Sequence, residues 1–355
     1  MIQNVLFKIL MAPFSLLYGI GVSLRNTFYK TGVLKSISFN LPIISVGNLS
    51  VGGAGKTPHI EYLIRLLKDY LNVATVSRGY KRKTKGFLFV KPKMNAEQVG
   101  DEPLQFKRKF QDVAVTVSES RTFAIPEILG EHPDTQVVLL DDAFQHRSIK
   151  PGLNILLTEF SKPFTKDFLL PSGRLREWRS AYQRADVVVV SKCPREVTQE
   201  EKEKITTDIA PLPNQKVFFS YYDYDPPYFL FNSRYRLKLE PDMSVLLICA
   251  IARTDYLVDY LNEKVANVRV LEYEDHHFYS KYEIANLQQT FEKWDADKKV
   301  ILTTEKDAMR LELHFPFMTE NKMPVFALPV RVKFHFDEGE QFDETVKEYL
   351  LGFRE

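Results

Sequence analysis

The stretch Ile44-Ser-Val-Gly-Asn-Leu-Ser-Val-Gly-Gly-Ala-Gly-Lys-Thr-Pro58 constrains this chain more than any other. An apolar run leads into a glycine-rich loop, then into Lys56 and Thr57, then into a helical pattern. A phosphate-binding P-loop needs this succession, because backbone amides at a helix N-terminus wrap an anionic group. Ser50, Val51, Gly52, Gly53, Ala54 and Gly55 are therefore the expected nucleotide cradle. Lys56 would reach the β- and γ-phosphates, and the Thr57 hydroxyl would ligate Mg²⁺. Ser50 departs from the usual pattern, which has glycine there. Pro58 is tolerated, since the first helical turn needs no amide at that point.

A second apolar run, Val137-Val-Leu-Leu-Asp-Asp142, ends in two acids. In P-loop proteins such a strand offers a carboxylate to Mg²⁺ or its waters. Successive strand side chains face opposite ways, so one of Asp141 and Asp142 is expected to reach the metal directly. Guanine-reading proteins carry Asn-Lys-x-Asp after a later strand. Here the matching run ends in Ser191-Lys192-Cys193-Pro194, and a proline cannot supply the carboxylate. ATP is the nucleotide expected.

Short β-branched runs alternate with amphipathic helical patterns along most of the chain, which argues parallel α/β architecture. At 355 residues two domains are the default. The expected class is α/β: a P-loop NTPase-like parallel sheet domain, a second smaller α/β lobe and an N-terminal membrane-associated helix. The expected bounds are 1–30 for that helix and 31–220 for the P-loop domain. Residues 221–241 read as an extended linker or β-ribbon, with Pro226 and Pro227 among many aromatics, and 242–355 as the C-terminal lobe. A net charge of +2 gives no argument for nucleic-acid binding, and none is expected. Two cysteines, Cys193 and Cys249, make neither a metal cluster nor a disulfide framework, which fits a reducing compartment.

From Ile9 to Leu24 no residue is charged, while Lys8 precedes the run and Arg25, Lys30 and Lys35 follow it. As a helix this run would be ~24 Å long, short of the ~30 Å hydrocarbon core. A secretory signal, a buried core helix and a membrane-surface anchor compete as readings. The basic flank suits anionic headgroups, so peripheral attachment to a membrane surface is the expectation.

Further clusters carry chemistry or caps. Gly100-Asp-Glu-Pro103 opens a helix, where Asp101 is either a functional carboxylate or an N-cap. Ser77-Arg-Gly-Tyr80 and Ser118-Glu-Ser-Arg121 follow strands, so Arg78 and Arg121 are expected to face a ligand crevice. Gly173-Arg-Leu-Arg-Glu177 offers Arg174 and Arg176 to an anionic headgroup, the bland alternative being a surface salt-bridge cluster. Asp275-His276-His277 suits general-base assistance or a capped turn better than a metal site.

Taken together, VGNLSVGGAGKTP, SRGY, GDEP, LLDDAFQH, PSGRLRE, EDHHFY and TTEKD, in this order, make the chain resemble the tetraacyldisaccharide 4′-kinases, the lipid A kinases of Gram-negative bacteria. The resemblance runs from the N-terminal apolar segment to Asp307. It implies transfer of the ATP γ-phosphate to the 4′-hydroxyl of a tetraacyldisaccharide 1-phosphate, a lipid A precursor, with a Mg²⁺ requirement. It also implies attachment to the cytoplasmic face of the bacterial inner membrane. By motif match Asp101 is the catalytic base and His276 its partner, while Lys56, Thr57, Asp141 and Asp142 form the nucleotide and metal set. With Asp101 in the first domain and His276 in the C-terminal lobe, that dyad is expected to assemble across the two. The rival readings are a deviant P-loop GTPase or ATPase switch, or a metallochaperone, and a non-catalytic membrane-bound nucleotide sensor.

Overall fold

Continuous apolar runs such as Val137–Asp141 and Val187–Cys193 suit a sheet covered on both faces. The computed structural model, which describes residues 2–353, places them there. Every residue of strands Ile43–Asn48, Val73–Ser77 and Val137–Asp141 is buried. Neighbours run parallel in the order Lys216–Tyr224, Val187–Cys193, Leu153–Glu159, Ile43–Asn48, Val137–Asp141, Val73–Ser77, Ala114–Val117. Val46 lies opposite both Asp141 and Ile155, so the ends of the glycine-loop strand and the Asp141 strand emerge side by side.

Contacts divide the chain into two units. The first takes the chain up to Arg78, Val113–Tyr222 and the chain from Val332 onward; the second takes Gly79–Asp112 and Asp223–Arg331. Two segments group otherwise than the expected bounds of 31–220 and 242–355. Helix Asp101–Lys109 belongs with the second unit because its charged side chains pair with helix Glu305–Leu311 and the turn after it. Lys109 meets Glu305 at 2.6 Å and Arg108 meets Glu312 at 2.6 Å. Helix Gly339–Gly352 returns to the first unit. Its Phe342 packs edge-on against Tyr62 and Phe218, Tyr62 donates to Asp343 at 2.7 Å, and the Tyr349 hydroxyl accepts from the Ile43 amide at 2.9 Å.

The second unit holds a six-stranded sheet. Strands Val325–Leu328, Lys299–Thr304, Ser244–Cys249 and Asn267–Glu272 are parallel, and the short pair Tyr228–Phe229 and Asn232–Arg236 closes one edge antiparallel. The aromatic segment expected as a linker or ribbon thus contributes strands of the second sheet.

Helix Ile2–Lys30 is longer than the apolar run that suggested it, and Lys8–Lys30 is long and apolar enough to cross a membrane. Only 11% of its most apolar window is buried, which excludes a core helix. On the side that packs against the rest of the first unit, small residues, Ser15 and Gly19, are the ones buried. Ser15 bonds Leu169 O and Ser172, and the Trp178 indole donates to Gly19 O and Ser23. Asn26 donates to Glu177. Leu10, Phe14, Leu17, Ile20 and Leu24 are exposed. A soluble surface helix has the opposite arrangement, apolar side inward.

Candidate active site

In the first unit the glycine loop leaves its strand and closes at Gly55, whose φ of 88° is left-handed, before helix Lys56–Leu67 begins. Lys56 Nζ donates to Asn48 Oδ1 at 3.2 Å and lies 3.7 Å from Asp142 Oδ1. Thr57 is buried at the first turn. Two amides of the expected cradle are already used: Val51 N donates to Arg174 O at 2.7 Å and Ala54 N to Gly52 O at 3.1 Å. Ser50 pairs with Leu175 in an isolated bridge, so the loop is stitched to the 174–176 segment as a two-stranded edge. Ser191, at the end of the strand that reads the base in guanine-binding proteins, donates instead to Ala54 O at 2.7 Å.

The two acids behave differently. Asp141 is buried and accepts from Ser77 Oγ at 3.1 Å. Asp142 adopts a positive φ of 47°, which turns the chain directly after the strand. Burial alone would raise its carboxyl, but the charges of Lys56 and Arg176 outweigh that and hold it well below the ordinary carboxylate range. Arg176 also donates to Asn48 O at 2.7 Å and Asn48 Oδ1 at 2.6 Å, which joins the loop strand to the acids.

The four arginines expected to meet substrate separate. Arg121 does not face a crevice: it is 1% exposed and donates to Ser118 O at 2.9 Å and Asp141 O at 3.0 Å. It opens helix Arg121–Glu131 behind the Ser120 cap, so this first-turn side chain folds back under the strand ends and props the Asp141 carbonyl. Arg176 is committed to Asp142 and Asn48, and Arg174 to Asp167 at 2.9 Å. Arg78 is exposed at the end of its strand.

The other expected group lies wholly within the second unit, which corrects the expectation of a dyad assembled from two domains. Gly100, with φ of 90°, breaks the chain between two helices, and Asp101 is the first residue of the second. Its carboxylate does serve the helix start, accepting the Glu102 amide at 2.9 Å through Oδ1. Oδ2 faces His276 Nδ1 at 2.9 Å and also accepts from Arg310. His276 holds a positive φ of 58°, its amide donates to Ala250 O at 3.1 Å, and its ring packs 4.7 Å from Tyr80. Lys306 Nζ lies 2.9 Å from His276 Nε2 and 3.2 Å from Glu102. Burial would raise the Asp101 carboxyl, yet Lys306, the His276 hydrogen bond and Arg310 together hold it well below the ordinary range. His277 points elsewhere, to Glu283 at 3.0 Å, and stacks on Tyr273.

Residues 7–351 match the family described as tetraacyldisaccharide-1-P 4′-kinase. The chain belongs to the tetraacyldisaccharide 4′-kinase family. The tetraacyldisaccharide 4′-kinase of Flavobacterium johnsoniae is 42% identical over 350 residues, 98% of either chain. That of Phocaeicola vulgatus is 40% identical over 344 residues, 95% of this chain and 94% of its own. The crystal structure of the "apo" form of LpxK from Aquifex aeolicus in complex with ATP is 31% identical, with a TM-score of 0.74 over 97% of this chain and 99% of that one. A member of this kinase family is a phosphotransferase, and the switch or metallochaperone alternative is not favoured.

Among the described residues no group of three or more His, Cys, Asp or Glu could hold a metal. Mg²⁺ does not need one, because it keeps waters and takes one or two carboxylates plus substrate phosphates. Thr57, Asp141 and Asp142 offer hard oxygen donors of that kind beside the glycine loop, so the donor set fits. Lys306, Asp307 and Arg310 were not singled out from sequence, although TTEKD was among the matching motifs. Lys306 and Arg310 are four residues apart, and i, i+4 spacing puts two cations on one helical face; that was the available signal.

Proposed function

We propose that this protein transfers the γ-phosphoryl group of ATP to the 4′-hydroxyl of a tetraacyldisaccharide 1-phosphate, at a membrane surface. The observation that carries the reading is the match from residue 7 to 351, which contains both the Lys56–Asp142 group and the Asp101–His276 pair. The 4′ oxygen forms a bond to the γ-phosphorus, the bond from that phosphorus to the β,γ-bridging oxygen breaks, and the hydroxyl proton goes to Asp101. ADP leaves as the other product. Lys56 neutralises charge on the transferring group, and positioning and electrostatics supply most of the catalysis. Thr57, Asp141 and Asp142 would hold Mg²⁺, which would supply charge neutralisation to the phosphates when bound. The exposed Arg78 is the arginine best disposed to read the anionic end of the acceptor.

The helix with its apolar side outward supports attachment to a bilayer through one leaflet, with Lys8 and Arg25 at the headgroup level. Use of ATP supports the cytoplasmic face of the inner membrane. The test is incubation of purified protein with tetraacyldisaccharide 1-phosphate, labelled ATP and Mg²⁺. Label is expected in the lipid for wild type, with Lys56→Ala reduced roughly 10²- to 10³-fold. No lipid labelling by wild type, or full labelling by Lys56→Ala, would overturn the proposal.

A further inference from the structure

Lys306 stands apart from the residues named so far, because it is a charged group spent on an imidazole. Its ammonium can only donate, and the Asp101 carboxylate can only accept. His276 lies between them, Nε2 2.9 Å from Lys306 Nζ and Nδ1 2.9 Å from Asp101 Oδ2. One ring state satisfies both neighbours: the neutral imidazole with its proton on Nδ1 and a lone pair on Nε2.

We propose that Lys306 is a positioning residue for proton abstraction: by occupying the Nε2 lone pair of His276 it keeps the ring neutral, with the Nδ1 proton turned toward an ionised Asp101. This rests on the reading of Asp101 as the base. The consequence is a division of labour. An imidazolium beside Asp101 would make the carboxylate a weaker proton acceptor, and a neutral ring with a free Nε2 would compete for the proton arriving from the sugar hydroxyl. With Nε2 occupied, the ring orients the carboxylate and the incoming proton has one destination, Asp101.

The surroundings fix Lys306 for this task. Glu102 lies 3.2 Å and Asp275 3.8 Å from its Nζ, so its charge is balanced without Asp101 being spent on it directly. Arg310, fully buried, is anchored by Asp307 and Ala250 O and contributes a second fixed donor to Asp101. Asp307 is itself held by the Tyr279 hydroxyl at 2.9 Å and the Ala250 amide at 3.0 Å. Lys81 donates to the carbonyls of Asp275 and His276, and the Tyr80 ring packs at a tilt against the imidazole. The charged and titratable groups facing the pair are thus Tyr80, Lys81, Asp101, Glu102, Asp275, Lys306 and Arg310. Of the groups that oppose burial at Asp101, the Lys306 charge is the largest, so its removal raises the Asp101 carboxyl.

The experiment compares wild type, Lys306→Met, Lys306→Arg and Asp101→Asn by three measurements. These are kcat against pH, the melting temperature and the ¹⁵N resonances of the His276 ring. In wild type Nε2 is expected to read as unprotonated across the active pH range. In Lys306→Met it should gain a proton as pH falls, the acid limb of kcat should move to higher pH, and kcat should drop roughly 10²-fold with KM for ATP unchanged. Lys306→Arg, which also only donates, should restore the wild-type Nε2 signal and part of the rate even if Lys306→Met folds poorly. A wild-type Nε2 signal in Lys306→Met, or a loss of rate equal at every pH and tracking the melting temperature, would overturn the assignment. Failure of the underlying reading is separate: Asp101→Asn with wild-type turnover removes Asp101 as base whatever Lys306 does.

Discussion

Arg176 donates to both carboxylate oxygens of Asp142, at 3.0 and 3.3 Å, while the same guanidinium reaches Asn48 on the glycine-loop strand. A fork of this kind fixes direction as well as charge. Arg176→Lys keeps the charge but not the fork, so it is expected to behave nearly as badly as Arg176→Ala. Both should raise KM for ATP by about tenfold or more, equivalent to ~1.4 kcal/mol. Steady-state kinetics with ATP varied checks this; a wild-type KM in Arg176→Lys would show that the fork is dispensable.

Gly47 sits on the loop strand where a Cβ would meet Phe144 Cβ at 2.6 Å and the Phe144 amide nitrogen at 2.9 Å. Gly47→Ala must therefore push the strand away from the turn that follows Asp142. The expected cost is about 1–3 kcal/mol of stability, as for other overpacked sites. Urea unfolding measures the cost. Nucleotide affinity should fall with it, because the displaced turn carries Asp142.

His59 is buried on the helix after the glycine loop, with Nδ1 donating to Gly55 O at 2.7 Å and Nε2 accepting from Ser220 Oγ at 3.0 Å. Burial lowers its imidazole to about 4. An unfolded histidine titrates near 6.5, so between those values the unfolded chain binds more protons than the native one. The His59 contribution is then complete above pH ~6.5 and is lost as pH falls toward 4, at up to about 1.4 kcal/mol per unit. His146, also lowered to about 4 chiefly by burial, acts in the same direction. Unfolding free energies from pH 7.5 to 4 should fall less steeply in His59→Gln than in wild type. Equal slopes would mean that His59 takes up its proton without unfolding the loop.

Asp101→Ala and His276→Ala should each lower kcat by roughly 10²- to 10⁴-fold, the usual worth of a general base. The double variant should be scarcely worse than either single, because residues acting as one unit are not additive. Multiplicative losses would mean that they act separately. With both residues inside one contact unit, their hydrogen bond does not depend on a change between units.

Leu10 and Leu17 are 65% and 66% exposed on the outward side of the N-terminal helix. Replacing both by glutamate spares the polar side that bonds Ser172 and Trp178. Sedimentation with anionic vesicles should drop and KM for vesicle-borne lipid should rise. Stability should stay within about 0.5 kcal/mol per substitution, as for other surface changes. Unchanged vesicle binding would refute the anchor.

Much of this was legible in the sequence because it depends on local pattern. Apolar runs between helical stretches located the strands, and Gly55-Lys-Thr57 located the loop and its helix. What was illegible depends on long-range packing. Arg121 reads as an exposed cation until the neighbouring strand end is seen to need a donor beneath Asp141. The 79–112 segment lies between strands of the first sheet in sequence, and long-range pairs such as Lys109–Glu305, Arg108–Glu312 and Asp101–His276 show where it packs. Arg310 acts on Asp101, 209 positions away, and Lys306 on His276, 30 positions away, and no local pattern carries either.

The chain passes between its two units after Arg78, Asp112, Tyr222 and Arg331. During synthesis the first strand of the first unit therefore waits for a partner made much later, since Ile43 and Tyr349 are 306 residues apart. At about 5–20 residues per second, the interval between release of that first strand and of its closing helix lasts tens of seconds. A premature stop ahead of Tyr349 would leave a chain open along that seam, and quality-control proteases rather than enzymology would decide its fate.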